Sequence, residues 1–543
     1  MAGAQQADWV AAVAGQVAAE GENRAAGGPL TCASGISPSG PIHLGNLREI
    51  MVPHFVVGEL RDRGLPGRHI LSWDDYDRLR KVPAGVPDSF AEHIGRPLTA
   101  VPDPCGQHES WAEHFKAPFR AALERLGVEV TEISQTRMYA AGAYRAQVLH
   151  AMRSRGRIGA ILSAYRTPKN GDDDDQDAPG EYFPYRPYCQ ACGRDSTAVV
   201  SFDDDTTRLR YRCDCGHRGE FALGEVSHGK LAWKVDWPMR WAFERVIFEA
   251  AGVDHSSPGS SFTVGSRLVT EIFGGLPPVY LAYSFVGTSG AAKMSSSAGA
   301  APTPEDALGI FEAPLLRWLY ARRKPGQSIT LSFDSEVGRV YDEWDALGRR
   351  VAAGQADAWE RTNARRALGR GLPVTPRPVP FRTLASLVDI TAGDDAQLLR
   401  ILADLDPGSP VTSLDDVRPR LDRARTWIRE YVPEQDRTRP RAEPDRDRLA
   451  RLTPQQQQAI GLLLDGLEAD WSLDGLAALV YGVPKLQAGL TADARVTPEL
   501  KAAQRALFTL LYELLVGRDT GPRLPTLMLS LGPARIRSLL TAQ

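Results

Sequence analysis

LTCASGISPSGPIHLGN, Leu30 to Asn46, is the stretch whose reading decides the fold. Leu30 to Ile36 is short and largely apolar, and it runs into a Gly- and Ser-rich turn, Gly35-Ile36-Ser37-Pro38-Ser39-Gly40. From His43 to Leu60 the apolar residues recur at helical spacing. The order is strand, phosphate-sized loop, helix. Small residues let a backbone approach phosphate closely, and the free amides and partial positive charge of a helix N-terminus attract it. His43 and Asn46, three apart on one helical face, can reach the same nucleotide. Taken alone, a His in such a turn is more often a cap than a catalyst.

Outward from this stretch, a second strand is expected at Arg68 to Trp73, followed by Asp74-Asp75-Tyr76-Asp77. Acidic side chains then stand at a strand's carboxyl end, the edge where open α/β sheets bind ligands. Between Pro83 and Gly229 the pattern turns irregular, with helical segments at Trp111 to Leu126 and Ala143 to Tyr165, an aspartate run at Asp172 to Asp177, and a cysteine cluster. The aspartate run lacks the alternating spacing and following Glu of a calcium loop, so it reads as a solvated loop. Sheet-like character resumes at Leu231, with a Gly-rich segment at Gly252 to Gly265 and an apolar one at Pro278 to Val286. After Pro302 the chain reads as helices: Glu305 to Arg322, Glu336 to Ala353, Phe381 to Ile390, Asp395 to Leu405, then others to the end, with Arg437 to Arg448 as an exposed connector.

Composition bounds the rest. With 543 residues, several domains are expected, and 43% apolar, 24% charged and a net charge of −3 describe a globular protein without bulk polycationic character. Any nucleic-acid surface must be local. No run approaches the ~18 to 20 apolar residues that span a bilayer. The start, Met1 to Gly28, lacks a basic segment followed by an apolar one and reads as a short amphipathic helix carrying Val10, Val13 and Val17, which makes a cytoplasmic location the expectation. Six cysteines in so long a chain are no disulfide scaffold.

The second chemical element is Lys293-Met294-Ser295-Ser296-Ser297, set among Ser, Gly and Ala that pack poorly. A mobile loop with one ammonium and several hydroxyls can close over a triphosphate and neutralise charge on departing pyrophosphate. In this order, on this frame, the two elements resemble the paired ATP-binding signatures of class I aminoacyl-tRNA synthetases. The lysine-specific branch is similar also at Trp73 to Pro83 (WDDYDRLRKVP), Pro102 to Phe115, Gln135 to Tyr144 (QTRMYAAGAY), Trp233 to Trp241 (WKVDWPMRW), Asp254 to Ser261 (DHSSPGSS) and Leu315 to Arg323 (LLRWLYARR).

The resemblance implies formation of lysyl-adenylate from L-lysine and ATP, with Mg2+ on the triphosphate, and transfer to tRNA(Lys). Pro38, Ser39, Gly40, His43, Gly45 and Asn46 would hold ATP on one side. Lys293, Met294, Ser295, Ser296 and Ser297 would close on the other, with His43, Asn46, Lys293, Ser295 and Ser296 acting on the phosphates. A lysine pocket needs partners for two ammonium groups and walls for the stem. Gly35, Ser37, Trp237 and His255 match pocket positions, and Asp74, Asp75 and Asp254 are the candidate carboxylates. Val253 and Ser289 to Ala292 depart from the branch's usual Lys-Asp-His and Gly-rich patterns, so a specialised paralog stays open beside the housekeeping enzyme. The other rivals are a synthetase for another amino acid, an adenylate-forming enzyme without RNA, and a non-catalytic tRNA-binding paralog.

Cys189-x2-Cys192 and Cys213-x-Cys215, each followed by a glycine, form two knuckles around a strand-rich gap, the pattern of a four-cysteine structural zinc ribbon. His217 is a possible replacement for one of the later thiols. Cys32 and Cys105 read as ordinary buried cysteines. The expected architecture is an α/β Rossmann-like parallel-sheet catalytic domain in two halves, 1–82 and 230–302. Residues 83–229 would be the inserted acceptor-end module with the zinc ribbon, 303–385 a stem-contact helical region, and 386–543 an all-α anticodon-binding domain. A monomer is expected. Arg420, Arg423 and Arg425, and Arg535 and Arg537, are candidate tRNA contacts.

Overall fold

The computed structural model describes residues 8–24, 27–165, 181–256, 260–288, 301–406, 408–491 and 494–541. The first half runs α1 (Trp9–Asn23), β1 (Leu30–Ile36), α2 (Leu44–Asp62), β2 (Gly67–Trp73), α3 (Trp111–Arg125), β3 (Thr131–Ser134), α4 (Gln135–Ala140), α5 (Arg145–Arg153) and α6 (Arg155–Ser163). Then come β4 (Tyr185–Pro187), β5 (Thr197–Phe202), β6 (Arg208–Cys213), β7 (Arg218–Ala222), β8 (Gly229–Leu231), α7 (Trp233–Phe243), β9 (Val246–Gly252), α8 (Ser261–Glu271), β10 (Val279–Tyr283) and β11 (Val286–Thr288). Helices α9 (Pro304–Ile310) and α10 (Ala313–Ala321), strand β12 (Ile329–Leu331), and α11 (Glu336–Ala352), α12 (Ala358–Leu368), α13 (Phe381–Thr391), α14 (Asp395–Asp404) and α15 (Arg420–Tyr431) follow. The last are α16 (Arg446–Ala450), α17 (Pro454–Gly466), α18 (Leu473–Gln487), α19 (Pro498–Val516), α20 (Leu524–Leu531) and α21 (Pro533–Leu540). Among the described residues, no helix is long and apolar enough to cross a membrane.

Two compact units result: Met1–Leu308 with Ala313–Leu331 and Ala353–Leu372, and Gly309–Glu312 with Ser332–Ala352 and Pro373–Gln543. In the first, five parallel strands pair in the order β10-β9-β1-β2-β3. β9 is buried along its whole length and β1 nearly so, as parallel strands covered on both faces must be. β1 is the switch strand: β2 lies on one side in register Leu30↔Gly67 to Ile36↔Trp73, and β9, from far along the chain, on the other. A crevice at the carboxyl ends follows from that topology. The N-terminal helix belongs to this core, with Val10, Val13, Ala14 and Val17 buried and Arg24 donating to the carbonyls of Val246 and Pro277.

Between β3 and β9 the chain leaves the sheet to build α4 to α6, the antiparallel pair β4-β8 and the antiparallel three-stranded sheet β5-β6-β7. Ala143 to Tyr165, read as one helical segment, is two helices meeting at Ser154. Glu305 to Arg322 is likewise two, because the chain bends at Phe311 and Pro314 fits only the first turn of a new helix.

The second unit is all helix. Arg420 is buried there, bonded to Glu312 at 2.8 Å and to Asp345 at 2.9 Å. It is a core ion-pair residue, which corrects its reading as a tRNA contact, and Arg425 is paired with Asp395. Arg535 donates to the carbonyls of Arg441 and Ala442, and Arg537 pairs with Glu468.

Candidate functional site

At the carboxyl end of β1 the chain turns and His43 caps α2. Its Nδ1 accepts from the Gly45 amide at 3.0 Å, while Asn46 Oδ1 accepts from the His43 amide at 3.1 Å. The cap and the signature are the same residues. With Nδ1 accepting, the proton sits on Nε2, which makes that nitrogen a donor. A Cβ at Gly45 would lie 2.7 Å from His43 Cε1, so the capping imidazole would have to shift.

His43, Gly45 and Asn46 line a cavity of about 320 Å3, as do Gly35, Trp237 and Asp254. Its size suits a small-molecule site. Ser37, Pro38, Ser39 and Gly40 lie in the loop leading to α2 and are not part of its wall. His255 falls in the 3-10 turn Val253–Ser256 directly after β9, and its side chain is outside the described residues, as are Lys293, Met294, Ser295, Ser296 and Ser297.

Two wall residues that the sequence reading did not single out dominate the cavity's electrostatics. Glu49, one turn beyond Asn46 on α2, accepts a hydrogen bond from the Tyr283 hydroxyl. Burial pushes its carboxyl up to about 8, against the pull of Tyr283, and the nearby Glu249 adds to the rise. Glu249, on β9, accepts from the Trp237 indole at 3.0 Å and the Trp241 indole at 2.5 Å, and burial raises it to about 7. Glu244 and Asp254 bring the wall to four carboxylates, against one guanidinium, Arg240. Trp233 and Trp237 stack at 5.2 Å and 15°, giving an aromatic side.

Asp74 and Asp75 stand at the end of β2 as expected, but neither reaches the cavity wall. Asp74 binds Arg240 at 2.7 Å. Asp75 binds Lys116 at 2.6 Å, the Ser134 hydroxyl at 2.6 Å and the Thr136 amide at 2.8 Å. Their charges are answered within the fold by Arg240 and Lys116. Arg240 also approaches Asp236 at 3.4 Å and donates to Ser72, which fixes it at the cavity floor.

The four cysteines converge as their spacing requires. Cys189 and Cys192 precede β5, Cys213 ends β6, and Cys215 lies in the β6-β7 turn. Their sulfurs lie within 4.8 Å of one another, with Cys189–Cys215 and Cys192–Cys213 at 3.7 Å. Four sulfurs at ~2.3 Å from a tetrahedral ion stand about 3.8 Å apart, so this donor set fits zinc. His217 is outside the cluster. A second group escaped the sequence reading: Asp103, Cys105, His108 and His114, also within 4.8 Å of one another. Cys105 is exposed, which corrects its reading as buried, and its sulfur lies 3.2 Å from Asp103 Oδ2 and 3.4 Å from His108 Nδ1. His114 Nδ1 lies 2.8 Å from Asp103 Oδ1. Asp-x-Cys-x2-His followed by a His six residues on was the available signal, hidden because its ligands are of three kinds.

Comparison with known proteins agrees with this geometry. Residues 7–368 match the family model described as tRNA synthetases class I (K). The chain is 54% identical to a lysine–tRNA ligase of Streptomyces coelicolor, with 98% of both chains covered. It is 34% identical to one of Treponema pallidum, covering 94% of each, and 32% identical to one of Pyrococcus horikoshii, covering 92% of this chain and 93% of that one. The strand-loop-helix at β1, the acidic cavity beneath it and similarity along nearly the whole length have one reading: the chain belongs to the class I (K) tRNA synthetase family.

Proposed function

We propose that this protein activates L-lysine with ATP and transfers the lysyl group to the 3′ end of tRNA(Lys), working as a monomer in the cytoplasm. The observation that carries the reading is the pair of carboxylates, half-buried Glu49 and buried Glu249, facing one cavity whose one guanidinium, Arg240, is already paired with Asp74 and Asp236. Lysine supplies two ammonium groups, one for each, and its stem lies against Trp237. The relatives' printed names support the same substrate. An acidic substrate is disfavoured, because Arg240 is already held by Asp74 and Asp236.

The lysine carboxylate attacks the α-phosphorus of ATP, the bond to the β-phosphate oxygen breaks, and pyrophosphate leaves. A terminal ribose hydroxyl of the tRNA then attacks the acyl carbon, and AMP departs. No side chain need become covalently attached, so the protein's part is orientation and charge. His43 Nε2, Asn46 and the amides at the start of α2 address phosphate and ribose, with Pro38, Ser39, Gly40 and Gly45 keeping the backbone close. Lys293, Met294 and Ser295 to Ser297 close on the pyrophosphate side, where Mg2+ rides on the triphosphate oxygens. Gly35, Ser37, Asp254 and His255 complete the amino-acid side, and Asp74 and Asp75 hold Arg240 and Lys116 beneath it.

Zinc at Cys189, Cys192, Cys213 and Cys215 would stiffen the 83–229 insertion against the acceptor end. The group Asp103, Cys105, His108 and His114 offers a second donor set. Residues 303–385 would meet the tRNA stem and 386–543 the anticodon. Amino-acid-dependent pyrophosphate exchange and charging, with and without tRNA, test the main reading. Lysine is the expected substrate; exchange with glutamate alone, or with no amino acid, overturns it. Metal analysis of Cys189→Ser tests the ribbon: about one equivalent of zinc should be lost, and an unchanged content removes the site.

A further inference from the structure

Within the second unit most arginines are committed to carboxylates or carbonyls, as Arg420, Arg425, Arg535 and Arg537 are. One helical pair differs. α18 and α19 pack side by side, Gln504 donating to the Tyr481 carbonyl at 3.0 Å. On the face they share, Tyr481 is 49% exposed, and its ring is held edge-on by Phe508 at 5.1 Å and 80°. A large aromatic ring left half in water, yet fixed by a second ring, is preorganised for a flat partner. Lys485 lies one turn beyond Tyr481 on α18, and Arg505 and Lys501 lie one and two turns before Phe508 on α19, so three cations share the face with the rings. Lys501 and Arg505 form no ion pair among the described residues; Arg505 only donates to the Lys501 carbonyl.

We propose that this face is a stacking platform for an unpaired nucleotide of the tRNA: a base lies on the Tyr481 ring, and Lys485, Lys501 and Arg505 meet the flanking phosphodiesters. The inference rests on the tRNA-charging function proposed above. An aromatic ring ringed by cations is the chemistry that holds single-stranded nucleic acid, whose bases offer a π-face and whose backbone offers one charge per residue. A protein partner would be expected to bring carboxylates to these cations and to need a larger apolar surface than one ring pair.

The test uses the full-length protein and tRNA transcript. Tyr481→Ala should raise the KM for tRNA roughly tenfold, the loss of about one stacked base, while Tyr481→Phe, which keeps the ring, should stay within about twofold of the parent. Lysine affinity measured by calorimetry without tRNA should not move. Replacing Lys485, Lys501 and Arg505 together by Ala should flatten the dependence of log Kd on log salt by roughly 2. An unchanged KM for tRNA in Tyr481→Ala overturns the platform, as does equal damage from Tyr481→Phe, or a change only in self-association, which would assign the face to a second copy. If the parent protein charges no tRNA with lysine, the underlying function fails instead, and the two failures are told apart by that control.

Discussion

Two pairs of carboxylates near the ligand-binding end of the sheet, all buried but the half-buried Glu49, could hardly be more differently treated. Asp74 and Asp75 are each bonded to a cation from elsewhere in the chain, Arg240 and Lys116. Glu49 and Glu249 are bonded to neutral donors, a phenol, a backbone amide and two indoles. The first pair is closed electrostatically when the protein folds; the second, on the proposed function, is closed when a cation arrives. A site proposed to bind two ammonium groups thus differs from a structural salt bridge by where its countercharge comes from, and burial alone does not distinguish them.

The comparison breaks most visibly at Glu49. Glu49→Gln should lower kcat/KM for lysine by about 100-fold or more, since truncating one partner of a buried charge contact costs ~2 to 5 kcal/mol. Stability without substrate should be unchanged at neutral pH, where the folded carboxyl holds its proton, and higher above about pH 8, where an uncompensated charge is gone; steady-state charging and a melting curve decide both points, and a wild-type lysine response would remove Glu49 from the pocket. Asp75→Asn should show the converse. It leaves Lys116 with Glu113 as its one remaining carboxylate partner, costs about 2 kcal/mol and lowers the Tm by a few degrees, read by calorimetry. An unaltered Tm would show that the pair is not what closes this edge.

A smaller effect follows from pH. Glu49 and Glu249 have folded values raised to about 8 and about 7, above the 4.5 of an unburdened Glu. A raised carboxyl holds its proton in the folded state after the unfolded chain has lost it, so the empty protein loses stability as pH climbs from about 4.5 to 8. Lysine favours the ionised forms. Its stabilising shift in Tm should therefore be larger at pH 8.5 than at pH 6.5, with protons released on binding below pH 8; a lysine shift independent of pH would mean that these groups are already ionised.

What was legible in the sequence and what was not divide along the same line. β1, the turn and α2 could be read because an apolar run, small residues and helical spacing follow one another without interruption. The four cysteines could be read because their spacing is itself the geometry. Glu49 and Glu249 could not. The first sits in a helix where an acidic residue signals nothing, and the second sits mid-strand between Phe248 and Ala250, meaningful only once β9 is known to lie beside β1. The aspartates after β2 drew the eye because they are adjacent and exposed to view in the sequence, but the chain supplies their partners from α3 and α7. Arg420 misled for the opposite reason: a basic residue among other arginines on a helix looks solvated until Glu312 and Asp345 are found around it.

The pairing Thr31↔Val246 has a consequence for how the protein is made. At the ~5 to 20 residues per second of synthesis, the strand that completes the far side of β1 leaves the ribosome on the order of 10 to 40 s after β1 itself. For that interval the nascent chain carries a half-built sheet with its most apolar strand unpaired on one edge. The insertion emerges in the meantime, but its core also takes Val264 and Leu268 of α8, which follows β9, so it too is completed only after that strand is made.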